Sequence, residues 1–154
     1  MIKHKDRLIL SELRRNGRCS ITRLARQINS PRSTVFDKMK RIEKAGVTHK
    51  YTCLLDFNKI GYPIHVKVLL RGNPENKGKI QQELINSEQS NNVYKLGNEY
   101  DFLASFLFKN MAELHSYLEN LQQKFELKKC DLYYVAEDLK REGFMNATYF
   151  QTNL

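Results

Sequence analysis

The chain has 154 residues, 41% of them hydrophobic, with a formal charge of +9, which is enough for one medium domain or two small ones. No apolar run approaches the ~20 residues that cross a bilayer. The start, Met1–Asp6, carries no signal-peptide core, which argues against secretion and for a cytoplasmic location. Three scattered cysteines, Cys19, Cys53 and Cys130, lack CxxC spacing and argue against both a disulfide framework and a zinc site.

The charge is unevenly placed. Residues 1–50 hold fourteen Lys and Arg against four acids, +10, which leaves the remainder at −1. Such asymmetry points to a polyanion-binding module joined to a neutral one; the alternative is a solvated basic face.

In chain order, Asp6–Arg15 reads as a first helix with Ile9, Leu10 and Leu13 on one stripe, ended by Asn16-Gly17. Ser20 can cap a second helix, to Ile28, with Ile21, Leu24, Ala25 and Ile28 inward. Asn29-Ser30-Pro31 is a break, with Ser30 suited to an N-cap and Pro31 to a first helical position. A third helix then runs to about Ala45, with Val35, Met39 and Ile42 inward and Gly46 as a left-handed stop. Two helices joined by a tight break, the second strongly basic, form a helix-turn-helix pattern. Its apolar stripe leaves Arg32, Ser33, Asp37, Lys38 and Arg41 outward, and Thr34 lies near the helix start. The major groove admits one such helix.

Residues 51–63 read as a linker with short strands, beginning within Val47–Leu55. Ile64–Arg71 alternates as a strand. Glu75–Ser87 is a modest helix with Ile80, Leu84 and Ile85 inward. Asn91–Leu96 and Asp101–Phe108 form a hairpin around Gly97-Asn98-Glu99-Tyr100. Met111, Leu114, Leu118, Leu121 and Phe125 mark an amphipathic helix, and Lys129–Ala136 is a fourth strand. The βαββαβ order is the ferredoxin-like arrangement, so the fold class is α+β: a three-helix helix-turn-helix domain and a βαββαβ sandwich. The expected division is 1–50, 51–63, 64–138 and a tail at 139–154. One sheet face lacks helices and carries large apolar residues, since Leu69, Leu103, Phe106, Leu107 and Tyr133 are spread over both faces. That predicts a partner, with a second copy as the default.

The run Asp6-x-x-Ile9-Leu10-x-x-Leu13-x-x-Asn16-Gly17-Arg18-Cys19-Ser20-x-x-x-Leu24-Ala25 resembles the opening of the Lrp/AsnC (feast/famine) regulators. Thr34-Val35-x-x-Lys38-Met39-x-Arg41-Ile42-Glu43-x-x-Gly46-Val47 is similar to their recognition helix. Tyr51–Asp56 with Ile60-Gly61-Tyr62 follows their linker, and Gly97-x-x-Tyr100-Asp101 their C-terminal turn. The resemblance covers residues 6 to about 136. It implies double-stranded DNA as partner, a homodimer that assembles into octamers or other even-numbered homo-oligomers, and an amino-acid effector bound between C-terminal domains. One departure is Pro31, where the family often places a capping Ser; Ser30 could cap one residue earlier. Another is the tail from Leu139, whose Phe144, Tyr149 and Phe150 would pack on a neighbouring subunit or form a disordered end.

On this reading Arg32, Ser33 and Thr34 reach base edges, with Arg32 suited to bidentate contact with guanine. Lys38 and Arg41 contact the DNA backbone. Asp37 could accept from cytosine, though a local pair with Arg41 at i+4 is the plainer role. Arg18, Arg23, Arg26, Lys40 and Lys44 set the field around the phosphates. Gly97, Asn98, Glu99, Tyr100 and Asp101 are the effector candidates, against the alternative of a simple hairpin turn. His4, His49, His65 and His115 have no metal-ligand spacing, and no Ser-His-Asp, P-loop or GxGxxG pattern occurs. No catalytic residue, metal or cofactor is therefore expected. Two other functions fit the same pattern: an enzyme like the siroheme decarboxylases, which look like Lrp/AsnC proteins, and an architectural protein that compacts DNA.

Overall fold

The computed structural model describes residues 2–145, which divide into two compact units. The first takes in the chain up to Leu54 with the stretch from Leu139 onward; the second is Leu55–Asp138.

The first unit holds α1 (His4–Arg15), α2 (Ile21–Gln27) and α3 (Arg32–Lys44). Ile9, Leu24, Ala25, Ile28 and Val35 form its core, with Leu13, Ile21 and Met39 packed around them. Helix α1 begins two residues earlier than the apolar stripe predicts. The Asp6 carboxylate accepts from the Lys3 N–H at 2.9 Å and so satisfies one of the orphan amides of the first turn. Ser20 caps α2 by accepting from the Arg23 N–H.

Both α2 and α3 end in Schellman caps. At the end of α2, the Ser30 N–H bonds to the Ala25 carbonyl and the Asn29 N–H to that of Arg26, with Asn29 left-handed at φ 46°. At the end of α3, Val47 and Gly46 donate to Ile42 and Glu43, and Gly46 lies at φ 67°, where glycine carries no Cβ penalty. The start of α3 differs from expectation by one residue. Pro31 occupies the N-cap in an extended conformation, and Arg32 is the first helical residue. Ser30 does not cap, because its hydroxyl accepts from the Lys5 ammonium at 2.9 Å and donates to the Ile28 carbonyl.

After α3 the expected strands over 47–55 are absent: the chain there is assigned to no strand, and 57–61 forms turns. At the far end of the unit, Arg14 donates to the carbonyls of Phe144 and Glu142 at 2.8 and 3.0 Å and pairs with the Glu142 carboxylate at 2.8 Å. Phe144 is exposed. Tyr149 and Phe150 lie outside the described residues.

The second unit is an antiparallel sheet in the order β2-β3-β1-β4. Its strands are β1 (Ile64–Arg71), β2 (Ser90–Lys95), β3 (Phe102–Phe108) and β4 (Lys129–Tyr134), with helices α4 (Lys77–Asn86) and α5 (Met111–Phe125). A 3₁₀ turn at Pro74–Asn76 leads into α4, so α4 starts two residues later than predicted. Its buried pair is Ile80 and Leu84 at i, i+4, while Ile85, expected inward, is 55% exposed. Val66, Val68 and Leu70 of β1 join Phe102, Ala104, Phe106 and Phe108 of β3 in one core with Ile80, Leu84, Leu114, Leu121 and Phe125 of the helices. Phe106 therefore belongs to the helix-covered face. The opposite face is set by register. Leu69 pairs with Leu103, which pairs with Tyr94; Lys67 pairs with Ser105 and Tyr133; His65 pairs with Leu107. Tyr94 and Tyr133 on this face are each 55% exposed. No helix among the described residues is long and apolar enough to cross a membrane.

Candidate nucleic-acid interface

Helix α3 is held to the first unit by two kinds of contact. Val35 and Ile42 are buried beneath it. On its flank, Lys38 and Arg41 both reach back to Asp6 of α1, with Nζ–Oδ1 at 3.1 Å and Nη2–Oδ2 at 2.6 Å. Asp6 is fully buried. Burial alone would raise its carboxyl group, but the Lys3 N–H, Lys38 and Arg41 outweigh this and hold it below the usual carboxylate range.

This carboxylate splits the outward face that the sequence suggested into two rows. Thr34, Lys38 and Arg41 follow one another at i+4 and i+3 on the side that meets α1. Arg32, Phe36 and Lys40, spaced by four, lie on the side turned away from it, beside Ser33, Asp37 and Lys44. Arg32, Ser33, Asp37, Lys40 and Lys44 are all exposed. The local pair expected between Asp37 and Arg41 is not made: the partner of Arg41 is Asp6, thirty-five residues away in sequence. Lys38 is not an outward residue either, its side chain being 19% exposed, whereas that of Arg41 is 52% exposed. One guanidinium nitrogen of Arg41 is committed to Asp6, and the others can reach a phosphate.

Around this helix, Arg18, Arg23 and Arg26 are exposed on the first unit. An open depression of about 450 Å³ runs between α2 and the start of α3, lined by Thr22, Arg26, Asn29, Pro31 and Arg32 among others. Arg26 and Arg32 thus share one depression, and two cations together favour an anionic group such as a phosphate. Two contributors are not picked out as site residues by sequence reasoning. Asp6 counts there only as one acid among many cations, and Phe36 goes unremarked on a polar helix face. A signal for Phe36 does exist: within Arg32–Arg41 it is the large apolar residue that lies off the inward stripe of Val35 and Met39.

In the second unit, the hairpin residues are largely engaged with the fold itself. The Asp101 carboxylate accepts from the Gly72 N–H at 3.0 Å and pairs with Lys77 at 2.5 Å. Burial works against its charge, but Lys77 and the Gly72 amide more than offset this and lower its pKa. Tyr100 donates to Asp131, and that bond, with some desolvation, pushes its phenol up to about 12. Glu99 pairs with Lys129. Gly97 and Asn98 are exposed, and a Cβ at Gly97 would meet nothing within 4 Å. No group of three potential metal ligands occurs among the described residues.

The winged helix-turn-helix DNA-binding family matches residues 2–47, the stretch that contains α1, α2, α3 and the Gly46 cap. A helix-turn-helix transcriptional regulator of Pyrococcus abyssi is 22% identical over 142 residues, 92% of this chain and 97% of that protein. Among solved structures, a transcriptional regulator from Neisseria meningitidis in complex with L-Met superposes with a TM-score of 0.85 at 17% identity, covering 92% of this chain and 94% of that one. An AsnC family transcriptional regulator from Agrobacterium tumefaciens gives 0.83 at 18% identity, covering 96% and 98%. Relatives and fold coincide over nearly the whole chain: it is a transcriptional regulator with a helix-turn-helix DNA-binding domain at its N-terminal end, and its fold is the one these regulators share.

Proposed function

We propose that this regulator recognises a specific operator in double-stranded DNA by laying α3 in the major groove. The observation that carries the reading is the anchoring of one side of α3 on Asp6, which leaves the other side open with Arg32, Ser33, Asp37 and Lys40. Arg32, at the first helical position, has the reach and planar fork for guanine O6 and N7, and Ser33 contacts an adjacent base edge or phosphate. Thr34 supports the helix start. Arg41, Lys44, Arg18 and Arg23 bind phosphates, and Lys38 positions the helix. Asp37 faces the groove and discriminates against guanine at its position by favouring the cytosine amino group.

The protein acts as a homodimer. The open sheet face places Leu69, Leu103 and Leu107 beside Tyr94 and Tyr133, an apolar surface that a second copy would bury, and a two-fold partner matches the symmetry of a palindromic operator. Further even-numbered assembly, up to an octamer, extends the same unit. A small amino acid modulates binding at the Gly97–Asp101 turn. There the exposed Gly97 and Asn98 offer backbone donors to a carboxylate, and Glu99 and Asp101 hold the turn in shape through Lys129 and Lys77. The L-Met complex of the Neisseria protein supports that ligand class. The protein works in the cytoplasm and is not an enzyme.

Selection of bound sequences from a random DNA pool, repeated with mixed amino acids, tests the reading. It requires an enriched, near-palindromic motif and a shift in binding when the amino acids are present. Tight, salt-sensitive binding with no motif would instead mark an architectural protein. Absence of binding would turn attention to catalysis, and the visible spectrum after siroheme addition would then be recorded.

A further inference from the structure

Phe36 is 43% exposed, although it sits on a helix whose other apolar side chains, Val35, Met39 and Ile42, turn inward or pack on the core. It takes no part in the core cluster of the first unit. On its own helix three polar residues adjoin it, Arg32 four residues before, Ser33 three before and Lys40 four after, while Met39, three after, adjoins it on the core side. The Lys40 ammonium sits 4.4 Å from the ring centroid, a cation–π contact that gives the ring a fixed neighbour. Arg32, Ser33, Phe36 and Lys40 lie on the side of α3 away from α1, because Lys38 and Arg41 define the other side through Asp6. An aromatic ring left in water costs apolar exposure, and here it occupies the middle of the row that faces the groove.

We propose that Phe36 reads thymine, packing its ring edge against the C5-methyl groups of one or two thymines in the major groove, next to the base contacted by Arg32. The major groove presents only one apolar feature, the thymine methyl, and apolar side chains are what discriminate it. Lys40, held over the ring, then falls toward the phosphate beside that thymine. This inference rests on the reading of α3 as the groove helix. It adds a sequence preference that charge and hydrogen bonding do not supply: a thymine within about four base pairs of the Arg32 guanine along the path of the helix.

The test uses uracil, which differs from thymine at this edge by the methyl group alone. The full-length protein is titrated against its selected operator and against operators in which dT is replaced by dU one position at a time. The wild type is expected to lose about fourfold in affinity for each contacted methyl removed, the worth of one buried methyl group. Phe36→Ala, whose exposed position leaves the fold intact by circular dichroism, is expected to bind the dT and dU operators equally. Arg32→Ala should keep the dT over dU preference while losing affinity overall. A wild type indifferent to dU at every position, or a Phe36→Ala protein that keeps the wild-type preference, overturns the inference and leaves α3 in the groove. If Arg32→Ala and Ser33→Ala bind the operator as the wild type does, the placement of α3 itself fails, and any dT preference must then come from elsewhere in the protein.

Discussion

Replacing Asp6 by Ala perturbs the contact that sets the orientation of α3. The carboxylate is fully buried and accepts from the Lys3 N–H at 2.9 Å, from Lys38 at 3.1 Å and from Arg41 at 2.6 Å. Each charge-assisted bond is worth about 1.5–3 kcal/mol. Lys38 and Arg41 have side chains 19% and 52% exposed, so both regain water when the partner is lost, and the three bonds do not add. Breaking a buried pair from the side of its buried member costs about 3–5 kcal/mol, and the lower end applies here because the cations re-solvate. A loss of ~3 kcal/mol corresponds to ~1.5 M in urea midpoint at a slope near 2 kcal/mol/M. Asp6→Asn keeps one acceptor and should lose roughly half as much. Urea denaturation followed by circular dichroism measures the loss. Amide hydrogen exchange assigns it to α1–α3 rather than to the sheet unit, which is needed because two units need not unfold together. The freed Lys38 should also steepen the salt dependence of DNA binding, by up to about 0.9 if it takes up one additional phosphate contact. An Ala variant within about 0.5 kcal/mol of the wild type, with α3 exchange unchanged, would refute the anchoring role.

Because its folded-state pKa is lowered, Asp6 contributes stability that is fully present above its ordinary value of 3.8 and lost as the pH falls below that value through the folded pKa. Acid titration should therefore open α1–α3 below about pH 3.8, and Asp6→Asn should flatten that part of the profile. Asp101 titrates in the same sense on the sheet unit. Gly72→Ala should destabilise the sheet unit by about 1–3 kcal/mol. A Cβ there runs into the δ-methyl of Ile80, a side chain that is fully buried and cannot swing out to water; thermal denaturation by calorimetry would record it. Leu103→Glu puts a charge between Leu69 and Tyr94 on the open sheet face and, if that face joins two copies as proposed, should leave a monomer in analytical ultracentrifugation with the fold retained. An unchanged sedimentation coefficient would remove that face from the interface.

Regular elements are readable wherever a local pattern specifies them. The β1 strand has the limits its alternation predicts, because one face of it is buried in Val66, Val68 and Leu70 and the period is set by that burial. The caps at Ser20 and Gly46 are readable because each rests on the chemistry of a single residue. The misreadings have long-range causes. Helix geometry favours an Arg41 partner at i−4, where pairs are common, but Asp6 wins through burial and a second cation. Ser30 looks like a cap until Lys5, twenty-five residues away, claims its hydroxyl. The strands expected over 47–55 have no pairing strand within the described chain, and β-structure exists only where a neighbour completes its hydrogen bonds. Ile85 lies about 100° round the helix from Leu84 and about 140° from Ile80, so α4, which buries Ile80 and Leu84, turns it out. For the interface, charge placement and the helix break locate α3, but which of its sides is free depends on a contact that no local pattern encodes.

The most direct test of the central claim, that α3 reads bases from the side opposite Asp6, compares Arg32→Ala with wild type on the selected operator and on random DNA at one salt concentration. The expected result is a loss of about 1–3 kcal/mol on the operator, little change on random DNA and relaxed preference at one base pair of each half-site. Equal losses on both DNAs would make Arg32 a phosphate contact and contradict the claim.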